Sequence, residues 1–230
     1  MRKIHEWNLS PEEAVRLQDN LKARLHLKWE ERPVRILAGV DVSVRGPLAH
    51  CAIVLLEYPS LTPLEGVCAE VPLVFPYIPG LLAFREGPAV LAAWQQLSRL
   101  PDVVMFDGQG IAHPRRMGIA AHMGLWLERP TIGIAKSRLY GHHTEVGPQR
   151  GDSAPLLDER GQVIGIVLRT RAGSKPVYIS PGHQMDWEHA LAFTLHCLRG
   201  YRLPEPTRWA HHLAGGGKLP SETGQQPALL

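Results

Sequence analysis

The sequence predicts an α/β domain built on one mixed sheet, and three observations predict it. Three β-type runs come first, Arg35 to Val42, Leu48 to Glu57 and Gly66 to Phe75, joined by short turns around Gly46-Pro47 and Pro59 to Pro63 that favour an antiparallel meander. Beyond them apolar runs alternate with helical periodicity, a β-α-β-α-β series that calls for parallel pairing. At 230 residues the chain is long enough for one domain with a sizeable core and too short for two comfortable ones.

Each element has a local reason. Ser10-Pro11-Glu12-Glu13 supplies an N-cap serine, a proline at the first helical position and a glutamate three residues after the cap, so a helix opens there. Ala14, Leu17, Leu21 and Leu25 give it one apolar face. After the meander, Pro88 to Leu100 reads as a helix, Asp102 to Phe106 as a strand, Met117 to Leu127 as a helix and Thr131 to Ala135 as a strand. Gln162 to Thr170 and Pro176 to Ser180 add a pair of strands. Asp186 to Leu198 reads as a helix with Leu191, Leu195 and Leu198 on one face, and a short helix near Pro206 to Leu213 closes the domain, 1–213. Residues 214–230 are rich in Gly, Pro and Gln without periodicity, and are expected to be a disordered tail.

Composition excludes several classes. With 44% hydrophobic and 20% charged residues the chain is ordinary globular material, and no apolar run approaches the roughly 20 residues a bilayer span needs. Met1 to Trp7 is basic without an apolar stretch behind it, so no secretory signal is expected and the cytoplasm is the expected location. Cys51, Cys68 and Cys197 lie in apolar segments without C-x-x-C spacing and read as core residues, not a zinc site. The net charge is only +3, yet Arg115, Arg116, Lys136, Arg138, His142 and His143 crowd the middle of the chain. A polyanionic partner and a plain solvated basic face both fit that pattern.

The most informative stretch is Asp107-Gly108-Gln109-Gly110, where the apolar run Val103 to Phe106 ends on a carboxylate followed by glycines. Ligands of α/β sheets bind beyond the carboxyl ends of the strands, which places an acid there for chemistry; a simple Asp-Gly turn is the alternative. Asp41 closes the run Ile36 to Val40 in the same way. Two such acids form a site only if their strands are neighbours. Glu86 precedes Gly87-Pro88, where the next helix is expected to begin, a position the helix macrodipole favours by itself. Pro76-Tyr77-Ile78-Pro79 sets an apolar tip between two stiffening prolines, able either to protrude or to fold onto the core.

Three antiparallel strands followed by alternating helices and parallel strands is the order of a ribonuclease H-like fold. The chain resembles the endonuclease V family up to about Leu213, through Ala38 to Ser43, Pro76 to Glu86, Asp107 to Gly124, Gly133 to Ser137, Lys175 to His183 and Pro206 to His211. Ala112 and Met117 are variants within their block.

The resemblance implies that Asp41 and Asp107 come together on neighbouring strands and that Glu86 is the third acid, a set suited to Mg²⁺ with Mn²⁺ able to substitute. Lys136, at the end of the third parallel strand on the same side as the two Asp residues, could orient water or stabilise developing charge, or be a phosphate-contacting or strand-end lysine without a chemical role; the resemblance implies that His211 approaches the metal cluster. His113 is assigned a supporting role that could reach Asp107, the next helix or the phosphate, and His183 the organisation of a loop. Pro76, Tyr77, Ile78 and Pro79 would form a strand-separating wedge with Tyr77 leading, and Gly80, Leu82, Gly108 and Ile119 a pocket for the flipped base. The expected activity is DNA repair: hydrolysis of the second phosphodiester bond 3′ to deoxyinosine, leaving a 3′-OH and a 5′-phosphate. A monomer is expected. Since some relatives act on inosine in RNA, an inosine-specific ribonuclease is one alternative; a non-catalytic module binding deaminated nucleic acid is another, and a junction resolvase a third.

Overall fold

The computed structural model describes residues 3–220. Helix α1 (Pro11–Leu21) opens as its sequence requires: Ser10 Oγ accepts from the Glu13 N–H at 3.2 Å, and Glu13 Oε2 accepts from the Ser10 N–H at 2.7 Å. Strands β1 (Ile36–Arg45), β2 (Leu48–Glu57) and β3 (Pro63–Pro72) form the antiparallel meander. There follow α2 (Leu82–Trp94), β4 (Val103–Phe106), α3 (Ile119–Leu127), β5 (Thr131–Ala135), β6 (Ser153–Leu157), β7 (Val163–Leu168), β8 (Val177–Pro181), α4 (Trp187–His196) and α5 (Glu205–Ala214). The strands make one eight-stranded sheet in the order β3-β2-β1-β4-β5-β8-β7-β6, parallel at β1-β4 and β4-β5 and antiparallel elsewhere. One face carries Ala38, Val40 and Ile53 against α2 and α3; the other carries Leu37, Val54 and Ile132 against α4 and α5. Among the described residues no helix is long and apolar enough to cross a membrane.

Several elements depart from expectation. Helix α2 begins at Leu82 and ends at Trp94, so Pro88 sits inside it, not at its start. An interior proline costs about 3 kcal/mol, but Phe84, Val90 and Leu91 are buried on this helix at roughly 1.5–3 kcal/mol each, and burial wins. Glu86 therefore lies in the second turn and faces inward. Strand β1 runs on to Arg45, so Asp41 is inside a strand and not at its end. Strand β3 starts and stops three residues early, which frees Phe75 to pack with Leu81 and Phe84. Helix α3 starts at Ile119 because Gly118 stays extended as its N-cap. Of the three leucines expected on one face of α4, Leu198 is buried and Leu191 packs against the core with Ala190, Phe193 and Cys197, while Leu195 is 42% exposed. Strand β6 was not expected from its mixed sequence, yet Ala154 and Leu156 alternate inward and Pro155 is tolerated because the strand lies at the sheet edge. Ala214 completes α5, and Leu219 packs with Leu213 over Gly66. Residues 221–230 of the expected tail lie outside the described residues.

The amino-terminal arm is held by a neutral histidine network. His5 Nδ1–H donates to the Glu6 carbonyl at 2.7 Å, so His5 Nε2 is an acceptor, taking Trp126 Nε1–H at 2.9 Å and His122 Nε2–H at 2.6 Å. Trp7 stacks on Trp126 and covers Gly87, where any Cβ would collide with the indole. His122 is fully buried with Nδ1 unpartnered, and burial first, then the neighbouring His5 and His113, hold its pKa well below 6.5.

Two outcomes follow. Because the unfolded chain protonates His122 below about pH 6.5 and the folded chain does not, stability is complete above that pH and falls as pH drops, by up to about 1.4 kcal/mol per unit. Urea titrations between pH 7 and 5 check this: His122→Gln should have a shallower slope than wild type, and an identical slope would refute the assignment. At Gly39, a Cβ would overlap the Pro206 carbonyl of α5, so Gly39→Ala should cost about 3 kcal/mol by overpacking. A urea midpoint equal to wild type would show that α5 does not depend on this contact.

Candidate active site

The site starts from strand pairing. Val40 and Phe106 are the last registered pair of β1 and β4, and the Asp107 N–H donates to the Val40 carbonyl at 2.9 Å. There β4 stops while β1 continues, so Asp41 and Asp107 stand side by side where the sheet loses its next rung. Helix α5 brings His211 Nδ1 to 2.9 Å from Asp41 Oδ2. One ligand atom from each of Asp41, Asp107 and His211 lies within 4.8 Å of the others. Lys136, at the end of β5, forms an ion pair with Asp107 Oδ2. His212, the neighbour in sequence, turns away: its ring edges Trp209 and its Nε2 bonds the Lys218 carbonyl at 3.2 Å.

Glu86 adjoins this group without being in its tight core. It is 9% exposed, and its carboxyl is pushed up to about 8, chiefly by burial and then by Asp41 and Asp107. Burial also raises the Asp107 carboxyl, against the pull of Lys136. Three crowded acids with one ammonium leave negative charge in excess. Hard carboxylate oxygens with an imidazole beside them are a donor set that fits a divalent cation such as Mg²⁺ or Mn²⁺, with positions left over for water and phosphate.

Beside the acids opens a cleft whose lining includes Gly80, Leu82, Gln109, His113, Gly118 and Ile119. Three of the four expected base-pocket residues, Gly80, Leu82 and Ile119, are on its walls. Gly108 is not: it sits behind Ile119, whose Cγ2 would be 2.6 Å from a Cβ there, between the cleft and Asp107. His113 lines the cleft instead of supporting Asp107. Its Nε2–H donates to the Gly80 carbonyl at 2.8 Å, and its Nδ1 accepts from the N–H groups of Arg115 at 3.0 Å and Met117 at 3.3 Å. Burial, reinforced by Arg115, pushes its pKa down to about 4, so this neutral tautomer persists at neutral pH.

The Pro76-Tyr77-Ile78-Pro79 tip protrudes. Tyr77 is 70% exposed, Ile78 roots the loop against the Phe75 cluster, and Arg85 Nη1 ties the Phe75 carbonyl at 2.9 Å. The basic cluster read from sequence divides. Arg115 is spent on Gln18 and Gly80, Arg116 on Asp158 and Lys136 on Asp107, while Arg138 and His142 remain exposed. His183 organises a loop, its Nδ1 accepting from the His26 N–H at 3.3 Å. One residue the sequence reading passed over is Gln18, fully buried in α1 and bonded to both walls of the cleft. Its signal was there: a polar side chain at 18, between Ala14 and Leu21 on the buried face.

Comparison with known proteins identifies the family. A sequence model described as Endonuclease V matches residues 18–212. An Endonuclease V of Methanothrix thermoacetophila is 50% identical over 213 residues, 93% of this chain and 94% of the relative. The crystal structure of an Endonuclease V from Streptomyces avermitilis superposes with a TM-score of 0.85 at 41% identity, covering 91% of this chain and 93% of that one. Ciona intestinalis Endonuclease V, solved in complex with a 24mer DNA containing an inosine followed by a ribo-adenosine, gives a TM-score of 0.77 at 25% identity over 89% of this chain and 96% of that one. With two aspartates, one within β1 and one just past β4, gathered with a histidine and a lysine at the end of the central strands of a ribonuclease H-like sheet, and with identity of this extent, the chain belongs to the Endonuclease V family of phosphodiester-cleaving endonucleases.

Proposed function

We propose that the protein cuts DNA at the second phosphodiester bond 3′ to deoxyinosine, leaving a 3′-OH and a 5′-phosphate, with Asp41, Asp107 and Glu86 holding Mg²⁺ or Mn²⁺. One observation carries the reading: Asp107 of the acid site and Gln109 of the cleft wall stand two residues apart in the chain. The Ciona relative bound to inosine-containing DNA supports the substrate. A divalent cation at the acids would activate water and neutralise phosphoryl charge.

The chain's own residues divide the work. Asp107, fixed by its N–H to Val40 and by Lys136, keeps one carboxylate oriented toward the phosphate. Lys136 balances charge there and lies ready to stabilise the anionic transition state. His211, bonded through Nδ1–H to Asp41 and otherwise exposed, offers the lone pair of its other nitrogen to a proton of water at the phosphate. Tyr77 enters the stack next to the lesion, where unstacking costs a few kcal/mol, less at a weakly paired base. Leu82 and Ile119 then receive the ring, and backbone groups read an edge that differs from adenine by an acceptor O6 and an N1–H, and from guanine by the missing amine. The ribo-adenosine after the inosine in the Ciona complex supports a second reading, an inosine-directed ribonuclease.

Purified protein with Mg²⁺ should nick a duplex containing inosine and spare the adenine-matched duplex. Asp107→Asn should lower the single-turnover rate roughly 10³-fold while binding stays within a few-fold. Binding without nicking by the wild type would instead identify a non-catalytic recognition module. Tyr77→Ala should reduce the preference for inosine over adenine about tenfold, the worth of one lost stacking contact; an undiminished preference would remove the wedge from the mechanism. Placing ribonucleotides 3′ to the inosine decides between the DNA and RNA readings by which backbone is cut faster.

A further inference from the structure

Besides Leu139, two stretches of chain wall the cleft, the Gly80 turn leading into α2 and the segment from Gln109 to Ile119 ahead of α3. One side chain from a third element joins them. Gln18 is fully buried on α1, and all of its polar atoms are engaged. Its Nε2 donates to the Gly80 carbonyl at 3.0 Å and to the Met117 carbonyl at 3.1 Å, while its Oε1 accepts from Arg115 Nε at 2.6 Å. Since a single nitrogen bonds both carbonyls, the walls cannot part without breaking one of those bonds.

The Gly80 carbonyl is where the restraints converge. It accepts from Gln18 Nε2, from His113 Nε2 at 2.8 Å and from Arg115 Nη2 at 3.0 Å. Gly80 has φ +83, and a Cβ would stand 2.9 Å from Arg115 Nη2, so glycine is required by conformation and by the closeness of its own donors. Packing alone would ask for Leu or Met at position 18, between Ala14 and Leu21. Only an amide supplies two donors and one acceptor at this place: glutamate would turn acceptor oxygens on two carbonyls, and an apolar residue would leave the Met117 carbonyl without its side-chain donor.

We propose that Gln18 is a positioning residue that fixes the width of the cleft and so sets the selection of the base. The inference rests on the reading of this cleft as the base pocket. Gln18 lies behind the walls and acts through Gly80 and Met117, so its loss should loosen substrate recognition and leave the acid site intact.

The test compares wild type with Gln18→Met and Gln18→Glu by amide hydrogen exchange and by cleavage of inosine and adenine duplexes. In both variants, exchange over 78–84 and over 113–119 should accelerate about tenfold or more, a coupled loosening that links the two walls. KM for the inosine duplex should rise about tenfold with kcat within about threefold, and the preference for inosine should fall accordingly. Unchanged exchange in either segment, or a fall in kcat at constant KM, would overturn the proposal. If the wild type itself shows no preference for inosine, the pocket reading fails together with the claim on base selection, and exchange alone then judges the clamp. Should neither Gln18 variant fold, Arg115→Met removes two of the same bonds from a half-buried position: a raised KM supports the clamp and an unaltered KM rejects it.

Discussion

The parallel pairing of β1 with β4 is the constraint on which the rest of the molecule depends. It ends at Val40 and Phe106, and the next residue of β4 spends its N–H on Val40, so two aspartates are delivered to one place with little freedom to separate. Two like charges 4 Å apart in surroundings of effective dielectric about 20 repel by about 4 kcal/mol. Lys136 and His211 offset part of that, and both are held by rigid elements, one by β5 and the other by an α5 pressed so closely on β1 that only glycine fits at 39. The tension left over is what makes the place receptive to a cation.

Charge and shape are handled by different residues, which meet at Asp107. In the proposed reaction the carboxylates, lysine and histidine would serve the phosphodiester side. The cleft side is built from backbone and apolar groups, and its charged neighbours are turned inward as struts: Arg115 on the Gly80 carbonyl, Arg116 on Asp158. A basic side chain near a nucleic-acid site is therefore not necessarily a phosphate contact. Here several are used to keep an irregular loop in one conformation.

The order of the strands, β6 apart, was legible because each β-run has its own punctuation, whereas the Asp107-Gly108 ending reads equally as a turn until Asp41 is known to stand beside it. The helix boundaries were less so. Pro88 looks like a helix start since the first turn is where proline is cheap, and only the burial of Phe84 and Val90 explains why the helix begins earlier. On α4 two of the three leucines read onto one face do meet the core; Leu195 does not, because Ala190 and Phe193 take its place on the buried side. His113 could be assigned to the site by its position in the chain but not to Gly80, which lies 33 residues away in sequence. Cross-strand adjacency of Asp41 and Asp107 is a property of topology and came from the family resemblance, since no local pattern encodes it.

Trp7 roofs Gly87, the residue after Glu86, and stacks on Trp126 of α3, so a segment ahead of the first helix closes over the helix that carries one of the three acids. A chain shortened to residues 18–212, the span matched by the family's sequence model, would lose this cover, so that span is shorter than the packed unit.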